Sequence, residues 1–350
     1  MNYIIIGCGR VFEYYRKNVF PILPPYWNLI GLIENSPEKI SYLKNEFDNI
    51  PIFFSINDLL TSEKRKIDIG MVLSISGLHF NHAKSLLENN INVIIEKPIS
   101  MIPSEIKELN QIAIKKKKRI FSVFQNRYNK AIVLVKKLIN ENKLGEIRTS
   151  RVSLRWCRNE SYFSDSWRGT WKYDGGVLNN QAIHHLDAYQ WLMGMPKELF
   201  TINKTNHQKI EAEDTSLSVF SFKNGSLGSF EATTLAPKKD METCMDIIGS
   251  KGYIKLGGLS LNKVLDTDLK NKKYLIENHS EDFNTGYGNG HIKLFKEIIS
   301  CFEDDKEYSI KISSVLKTSE LINAMYLSAN TGKRVSTYKE LNYVKLGLCE

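Results

Sequence analysis

The chain has 350 residues, 42% hydrophobic and 25% charged, the make-up of a folded globular protein, which excludes a disordered one. Lys and Arg number 48 against 39 Asp and Glu, and the resulting +9 favours anionic ligands without saying where they bind. At roughly 150 residues per domain this length predicts two domains, and no apolar run approaches the ~18–20 residues of a membrane-spanning helix.

The opening "MNYIIIGCGR" carries its apolar run straight into glycines, with no basic leader or small-residue cleavage site, so it reads as a first strand. Up to residue 123, helical stretches alternate with the β-branched runs "YIIIG", "NLIGLIE", "IDIGMVLSI", "NVIIE" and "RIFSVF". That alternation predicts an α/β fold, with a doubly wound parallel sheet and right-handed crossover helices over 1–123. From 124 a helix ("KAIVLVKKLINEN") leads into longer strands: "IRTSRVSLRW", "DTSLSVFSF", "GSLGSFEATT", "METCMDIIG" and "GYIKLGG". Joined by short turns such as "KNGS", they predict an α+β domain over 124–350 built on an open, mostly antiparallel sheet. Two helices close the chain, "HIKLFKEIISCF" and "SSVLKTSELINAMYLSA", the second ended by the glycine of "TGK".

Cys8, Cys157, Cys244, Cys301 and Cys349 are scattered and form no C-x-x-C pair, which predicts a reducing, cytoplasmic setting. The run "KKKKR" at 115–119 reads as the solvated end of a helix rather than a nucleic-acid patch, and no zinc finger or RNP-type motif accompanies it. His79 and His82 stand three apart with no third ligand and no H-E-x-x-H pattern, so no metal is expected.

"YIIIGCGRVF" joins a strand to Gly7-x-Gly9 and a helix start. Two glycines permit a tight turn and close approach of a pyrophosphate, whose charge meets the amides of the helix N-terminus at Arg10 and Val11. The third fingerprint position is Phe12; that position serves helix packing, so the phosphate site survives the change. The second strand ends in Glu34, 27 residues after Gly7. As a ribose-hydroxyl acceptor it would repel a 2′-phosphate and favour NAD over NADP; the alternative is an ordinary polar strand end. Glu96-Lys97-Pro98 closes the strand "NVIIE" at the carboxyl edge, where open α/β sheets bind ligands. Lys97 is there either a fixed functional lysine or a surface one.

The fingerprint, "SGLHFNHA" after the third strand, "EKP" and the glycine-led "HHLD" resemble, in that order, the glucose-fructose oxidoreductase/inositol dehydrogenase/rhizopine catabolism (Gfo/Idh/MocA) family over nearly the whole chain. The resemblance implies a Rossmann domain followed by an α/β domain on an open sheet, often assembled into homo-oligomers. It also implies a cofactor set of Gly7, Gly9, Arg10, Val11, Glu34, Ser74, Ser76, His79, Glu96 and Lys97, with Lys97 beside substrate and nicotinamide.

Between Gly175-Gly176 and Gly194, "VLNNQAIHHLDAYQWLM" fits one helix, on which Asn180, His184 and Asp187 fall within a strip ~60° wide. His185, turned ~100° from His184, joins Leu178, Ala182, Tyr189 and Leu192 as the packed histidine. By itself His184 reads as a satisfied polar residue; the resemblance places the family's catalytic histidine there. Inositol dehydrogenases carry an aspartate four residues earlier, where this chain has Asn180. "FQNRYN", "RVSLRWCR", "SWRGTW" and "DGGVLNNQAIHHLD" look like the UDP-2-acetamido-2-deoxyglucuronate 3-dehydrogenase branch. That likeness implies oxidation of a ring hydroxyl of a nucleotide sugar.

The expected substrate set is Lys97, Arg127, Tyr128, Trp167, Arg168, Asn180 and His184. Arg127 and Arg168 are candidate clamps for a carboxylate or pyrophosphate, while Arg155 and Arg158 read as strand surface pairs. In catalysis His184 would take the hydroxyl proton, Lys97 would stabilise the alkoxide and Asn180 would orient the hydroxyl, although the lysine and histidine can exchange roles. A free sugar, sugar acid or cyclitol is the alternative substrate, and a non-catalytic dinucleotide sensor the alternative of another class. His291 either closes over substrate or caps its helix.

Overall fold

The computed structural model describes residues 1–207, 209–283, 288–338 and 345–347. Cys349 and the Gly286–Tyr287 part of "GYGNGHIKLF" lie outside the described residues. The first compact unit begins with β1 (Asn2–Ile6), β2 (Asn28–Ile33), β3 (Ile52–Phe53), β4 (Ile69–Val72), β5 (Asn92–Ile95) and β6 (Ile120–Ser122). They form one sheet in the order β3-β2-β1-β4-β5-β6, every described pairing parallel. Crossovers contain α1 (Arg10–Asn18), α2 (Pro37–Glu46), α3 (Ile56–Ser62), α4 (His79–Glu88) and α5 (Pro103–Lys116). Ile4, Ile5, Met71, Val72, Val93, Ile94 and Ile95 are all fully buried, as strands covered on both faces require. Strand order reverses between β1 and β4, and the loops after those strands carry the glycine motif and Ser74.

The second unit holds β7 (Ile147–Arg155), β8 (Glu198–Lys204), β9 (Thr215–Ser221), β10 (Leu227–Thr233), β11 (Glu242–Gly249), β12 (Tyr253–Gly257), β13 (Lys263–Thr267) and β14 (Val335–Ser336). Their order is β13-β12-β11-β7-β10-β9-β8-β14, antiparallel throughout except for the parallel pair β10 and β7. With α6 (Lys130–Asn140), α7 (Ile183–Met193) and α8 (Lys272–His279) this unit is the α+β half.

A division at 123/124 alone does not describe the chain. Helix α9 (Gly290–Glu303) and the residues up to Ile312 return to the first unit, whereas α10 (Ile312–Thr331) belongs to the second. The reason is aromatic: Phe302 of α9 packs on Trp27 and Phe121, and Phe295 packs on Tyr15. Sequence periodicity marks α9 as amphipathic but not which core its apolar face joins.

A second correction concerns residues 177–182, which turn rather than extend the helix; α7 starts only at Ile183. The Ala182 amide reaches the Val177 carbonyl five residues back at 2.8 Å, while Val177 and Leu178 donate to Glu213. The side chains of Asn179 and Asn180 donate to Asp174, competing with helical backbone bonding as asparagine commonly does. Among the described residues no helix is long and apolar enough to cross a membrane.

Candidate active site

In the first unit the chain leaves β1 at Gly7, whose φ of +90° lies in the left-handed region. A Cβ there would stand 2.6 Å from the Cα of Ser74, so the loops after β1 and β4 touch backbone to backbone. Open α/β sheets bind ligands where their strand order reverses, which is this point. Gly9 is the N-cap of α1; among the described residues no side chain caps that end, and a Cβ on it would meet nothing within 4 Å. The first turn of α1, from Arg10 and Val11, therefore opens onto the clear approach that a pyrophosphate requires. Phe12, at the third fingerprint position, is fully buried and packs on Phe20 and Phe47, which is where the packing role of a third glycine has gone.

Glu34 ends β2 with its carboxylate turned to backbone. It accepts the amides of Cys8 at 3.0 Å, Asn35 at 2.9 Å and Ser36 at 3.0 Å, with the Lys39 ammonium 3.7 Å away. It thus ties the glycine loop to β2. His79 is buried between two loops, Nδ1 lying 2.6 Å from the Pro98 carbonyl and Nε2 2.8 Å from that of Ser74. It joins the Ser74 loop to the Lys97-Pro98 segment. Burial lowers its pKa against the pull of those two carbonyls. Ser76 begins the turn leading into α4, and His82 Nδ1 meets the Ser74 hydroxyl at 2.9 Å.

Glu96, also expected among the cofactor contacts, turns inward. It accepts the Tyr15 hydroxyl at 2.6 Å, faces His291 Nε2 at 3.6 Å and accepts the Lys97 amide at 3.1 Å. Burial pushes its carboxyl up, but His291 and Tyr15 outweigh this and hold it below the usual range. Lys97 therefore leaves a backbone clamped by a buried carboxylate, with its own side chain half-buried. His291 is neither a lid nor a simple cap; it is buried and packs on Tyr14 and Tyr15.

In the second unit a short 3-10 turn, Gln125–Tyr128, carries two side chains to one face of α7. Gln125 Nε2 lies 3.3 Å from Nε2 of His184, and Arg127 forms a two-pronged pair with Asp187, at 2.7 and 2.6 Å. The Phe124 ring stands edge-on to His184, 5.9 Å between centroids. Arg127 also donates to Ser314, and Asp187 also accepts Thr318. With both partners buried, this arginine fixes the turn against α7 and α10. Tyr128 closes the same turn.

Asn180 donates to Asp174, a buried carboxylate that also accepts the Gly169 amide at 2.8 Å. Arg168 lies between the rings of Trp167 and Tyr162, at 4.2 and 4.4 Å, and bonds Asp165 and the Tyr162 hydroxyl. Arg155 pairs with Glu231 and Arg158 with Asp240. His185 is buried, its Nε2 3.2 Å from the Leu259 carbonyl, and burial pushes its pKa down to about 4. Asp187 shares the His184 face of α7, whereas Asn180, in the preceding turn, is held by Asp174.

Sequence reasoning passed over Gln125, Asp174, Tyr15 and Glu213. Gln125 and Asp174 sit inside quoted motifs, "FQNRYN" and "DGGVLNN", yet nothing in the spacing says which member points at His184 or Asn180. His291 was seen, but its partner Glu96 lies 195 positions earlier, beyond any local pattern. Among the described residues no group of three or more His, Cys, Asp or Glu could hold a metal ion.

A glycine cradle at the reversal point of a parallel sheet, followed by a separate mixed-sheet unit with a histidine over a polar turn, defines a dinucleotide-binding protein of the two-domain Rossmann class. The chain belongs to the Gfo/Idh/MocA oxidoreductase family: residues 1–124 match its NAD-binding Rossmann fold and 136–337 its C-terminal alpha/beta domain.

The WlbA dehydrogenase of Bordetella pertussis, solved with NADH and UDP-GlcNAcA, superposes at a TM-score of 0.89 with 27% identity, over 96% of this chain and 97% of that one. The D-glucoside 3-dehydrogenase of Escherichia coli is 23% identical over 95% of this chain and 96% of its own length. The NADP(+) scyllo-inositol 2-dehydrogenase IolW of Bacillus subtilis is 25% identical over 60% of this chain. The chain spans about half the length of the first curated relatives it matches, 51% and 56%.

Proposed function

We propose that the protein is an NAD-dependent dehydrogenase oxidising a secondary ring hydroxyl, at carbon 3, of a nucleotide-linked acetamido sugar or uronate. The observation that carries this reading is His184. It is a half-buried imidazole on the first turn of α7, oriented by Gln125 at 3.3 Å, in a chain whose whole length is similar to an enzyme solved with NADH and UDP-GlcNAcA. NAD, when bound, supplies the acceptor for the hydride leaving the sugar carbon. Gly7, Gly9, Arg10 and Val11 would hold its pyrophosphate, and Glu34 its adenosine ribose, which favours NAD over NADP.

His184 takes the hydroxyl proton as the carbon is oxidised. The Gln125 amide orients the imidazole, its Nε2 lying 3.3 Å from Nε2 of His184. Lys97 stabilises the developing alkoxide, and Asn180, fixed by Asp174, orients the hydroxyl. Arg168, already bonded to Asp165 and Tyr162, is the remaining candidate for an anionic substrate group; Arg127 supports the site from behind, its guanidinium committed to Asp187.

A second reading, a free glucoside as substrate, is favoured by the full-length likeness to the D-glucoside 3-dehydrogenase. Measuring NADH formation with UDP-linked acetamido sugars and uronates against free glucosides and inositols separates the two. Turnover confined to the nucleotide sugars supports the first, and turnover confined to free sugars replaces it.

The protein also pairs with copies of itself through the second sheet. Along β9 the usual pattern is reversed: Ser216 and Ser218 are buried, while Leu217 and Val219 are exposed, beside Ile202 of β8 and Leu227 of β10. That exposed apolar sheet face supports this reading. The four described cysteines are free thiols, in keeping with a reducing cytoplasm.

A further inference from the structure

One buried acid outside the groups used above has an unusual position. Glu213 directly precedes Asp214 and β9, and it is 2% exposed. Three consecutive amides end on it or on its partner. Gly176 donates to the Tyr326 hydroxyl at 3.3 Å, Val177 to the Glu213 backbone carbonyl at 2.8 Å, and Leu178 to Glu213 Oε1 at 2.9 Å. Tyr326 closes the ring by donating to the same Oε1 at 2.9 Å. Gly176 has to be glycine, because a Cβ there would overlap the Glu213 carboxyl and carbonyl. From this cradle the backbone turns directly into the site: the Asn180 amide bonds the Gly176 carbonyl at 3.0 Å, and the Ala182 amide, one residue before α7, bonds that of Val177.

We propose that Glu213 is a positioning residue for Asn180 and His184, acting through the backbone of the 176–178 turn. This inference rests on the dehydrogenase reading for its effect on turnover, but not for its effect on the turn. The second carboxyl oxygen, Oε2, is buried without a hydrogen-bond partner among the described residues, an arrangement suited to a neutral acid and costly for a carboxylate. The titratable groups around it are acidic or phenolic: Asp214 beside it and Tyr326 of α10, with Asp174 acting on the same tyrosine. Burial above all, with Asp214 adding to it, pushes the Glu213 carboxyl up to about 8. The unfolded glutamate ionises near 4.3. The neutral acid's contribution to stability is therefore complete below that pH, falls as pH rises toward about 8, and is lost above it.

The test compares the wild-type chain with Glu213→Gln and Glu213→Ala by thermal midpoint, amide hydrogen exchange over 176–183 and kcat, between about pH 6 and 9. Glutamine keeps an acceptor for Leu178 and Tyr326 and cannot ionise. It should hold kcat within about threefold of wild type near pH 6.5, and it should lack the decline in midpoint and kcat that wild type undergoes on the alkaline side. Alanine should lose exchange protection over 176–183 and at least about tenfold in kcat while leaving NAD affinity unchanged. Equal losses in the glutamine and alanine variants, or a wild-type to glutamine ratio flat with pH, would overturn the proposal. If no candidate sugar is turned over by any variant, the dehydrogenase reading fails. The exchange and midpoint measurements then decide the cradle alone: protection lost in alanine but kept in glutamine supports it, and protection unchanged in alanine removes it.

Discussion

The two units place their candidate site residues by different means. In the first unit they stand at strand ends: Gly7 follows β1, Glu34 follows β2 and Lys97 follows β5, with the sheet itself fixing each position. In the second unit they stand in turns, and buried acids hold the turns: Asp174 holds Asn180, Asp187 holds the Gln125–Tyr128 turn through Arg127, and Glu213 holds 176–178. Glu34 and Glu213 make the contrast concrete. Both accept backbone amides, but Glu34 has a lysine 3.7 Å away, whereas Glu213 has an aspartate beside it and is pushed up to about 8. A strand-end carboxylate can present its charge to a ligand, and Asp187 uses its charge to hold Arg127, whereas Glu213 is proposed to hold its turn as the neutral acid.

The largest effects are expected at the two proposed reactive side chains. Lys97→Ala and His184→Ala should each lower kcat by ~10²–10⁴, the range for a positioned acid, base or charge stabiliser, with intact folding by circular dichroism. Next is the support beneath His184. Arg127→Ala leaves Asp187 buried without its partner, which costs about 3–5 kcal/mol, read as a fall in thermal midpoint of roughly 10 °C. Arg155→Ala, at a half-exposed surface pair, should cost under about 1 kcal/mol, and equal losses in the two would break the distinction.

Gly7→Ala puts a side chain where φ is +90° and Ser74 backbone stands 2.6 Å away. The strain alone is about 1–2 kcal/mol, so NAD affinity by calorimetry should fall about tenfold or more. Smaller again, Glu34→Ser should narrow the preference for NAD over NADP while weakening NAD itself, since the carboxylate also holds the Cys8 amide. Val219→Lys should leave the chain folded and shift it to a smaller assembly by light scattering.

Much of the first unit was legible because strand ends are marked by composition: β-branched runs stop at glycine, glutamate or proline, and the parallel order follows from the alternation. What was not legible there lies far apart in sequence, as with Glu96 meeting Tyr15 and His291. In the second unit helical periodicity correctly set His185 into the core, yet it carried Asn180 into a helix that the structure replaces with a turn. The reason is physical, since the bonds that hold 177 and 178 come from Glu213, more than thirty residues away. Arg127 illustrates a further limit: a guanidinium suited to clamping a substrate is equally suited to a buried carboxylate, and only the fold decides between them.

We propose that Lys97 and His184 act on one hydroxyl. The most direct test is the single-turnover rate of NADH formation from a UDP-linked acetamido uronate in the wild type, the two single alanine variants and the double variant. A loss of at least about a hundredfold is expected in each single variant, with the double variant well short of the product of the two, as for residues that act as a unit. Wild-type rates in either single variant, or losses that simply multiply, would contradict it.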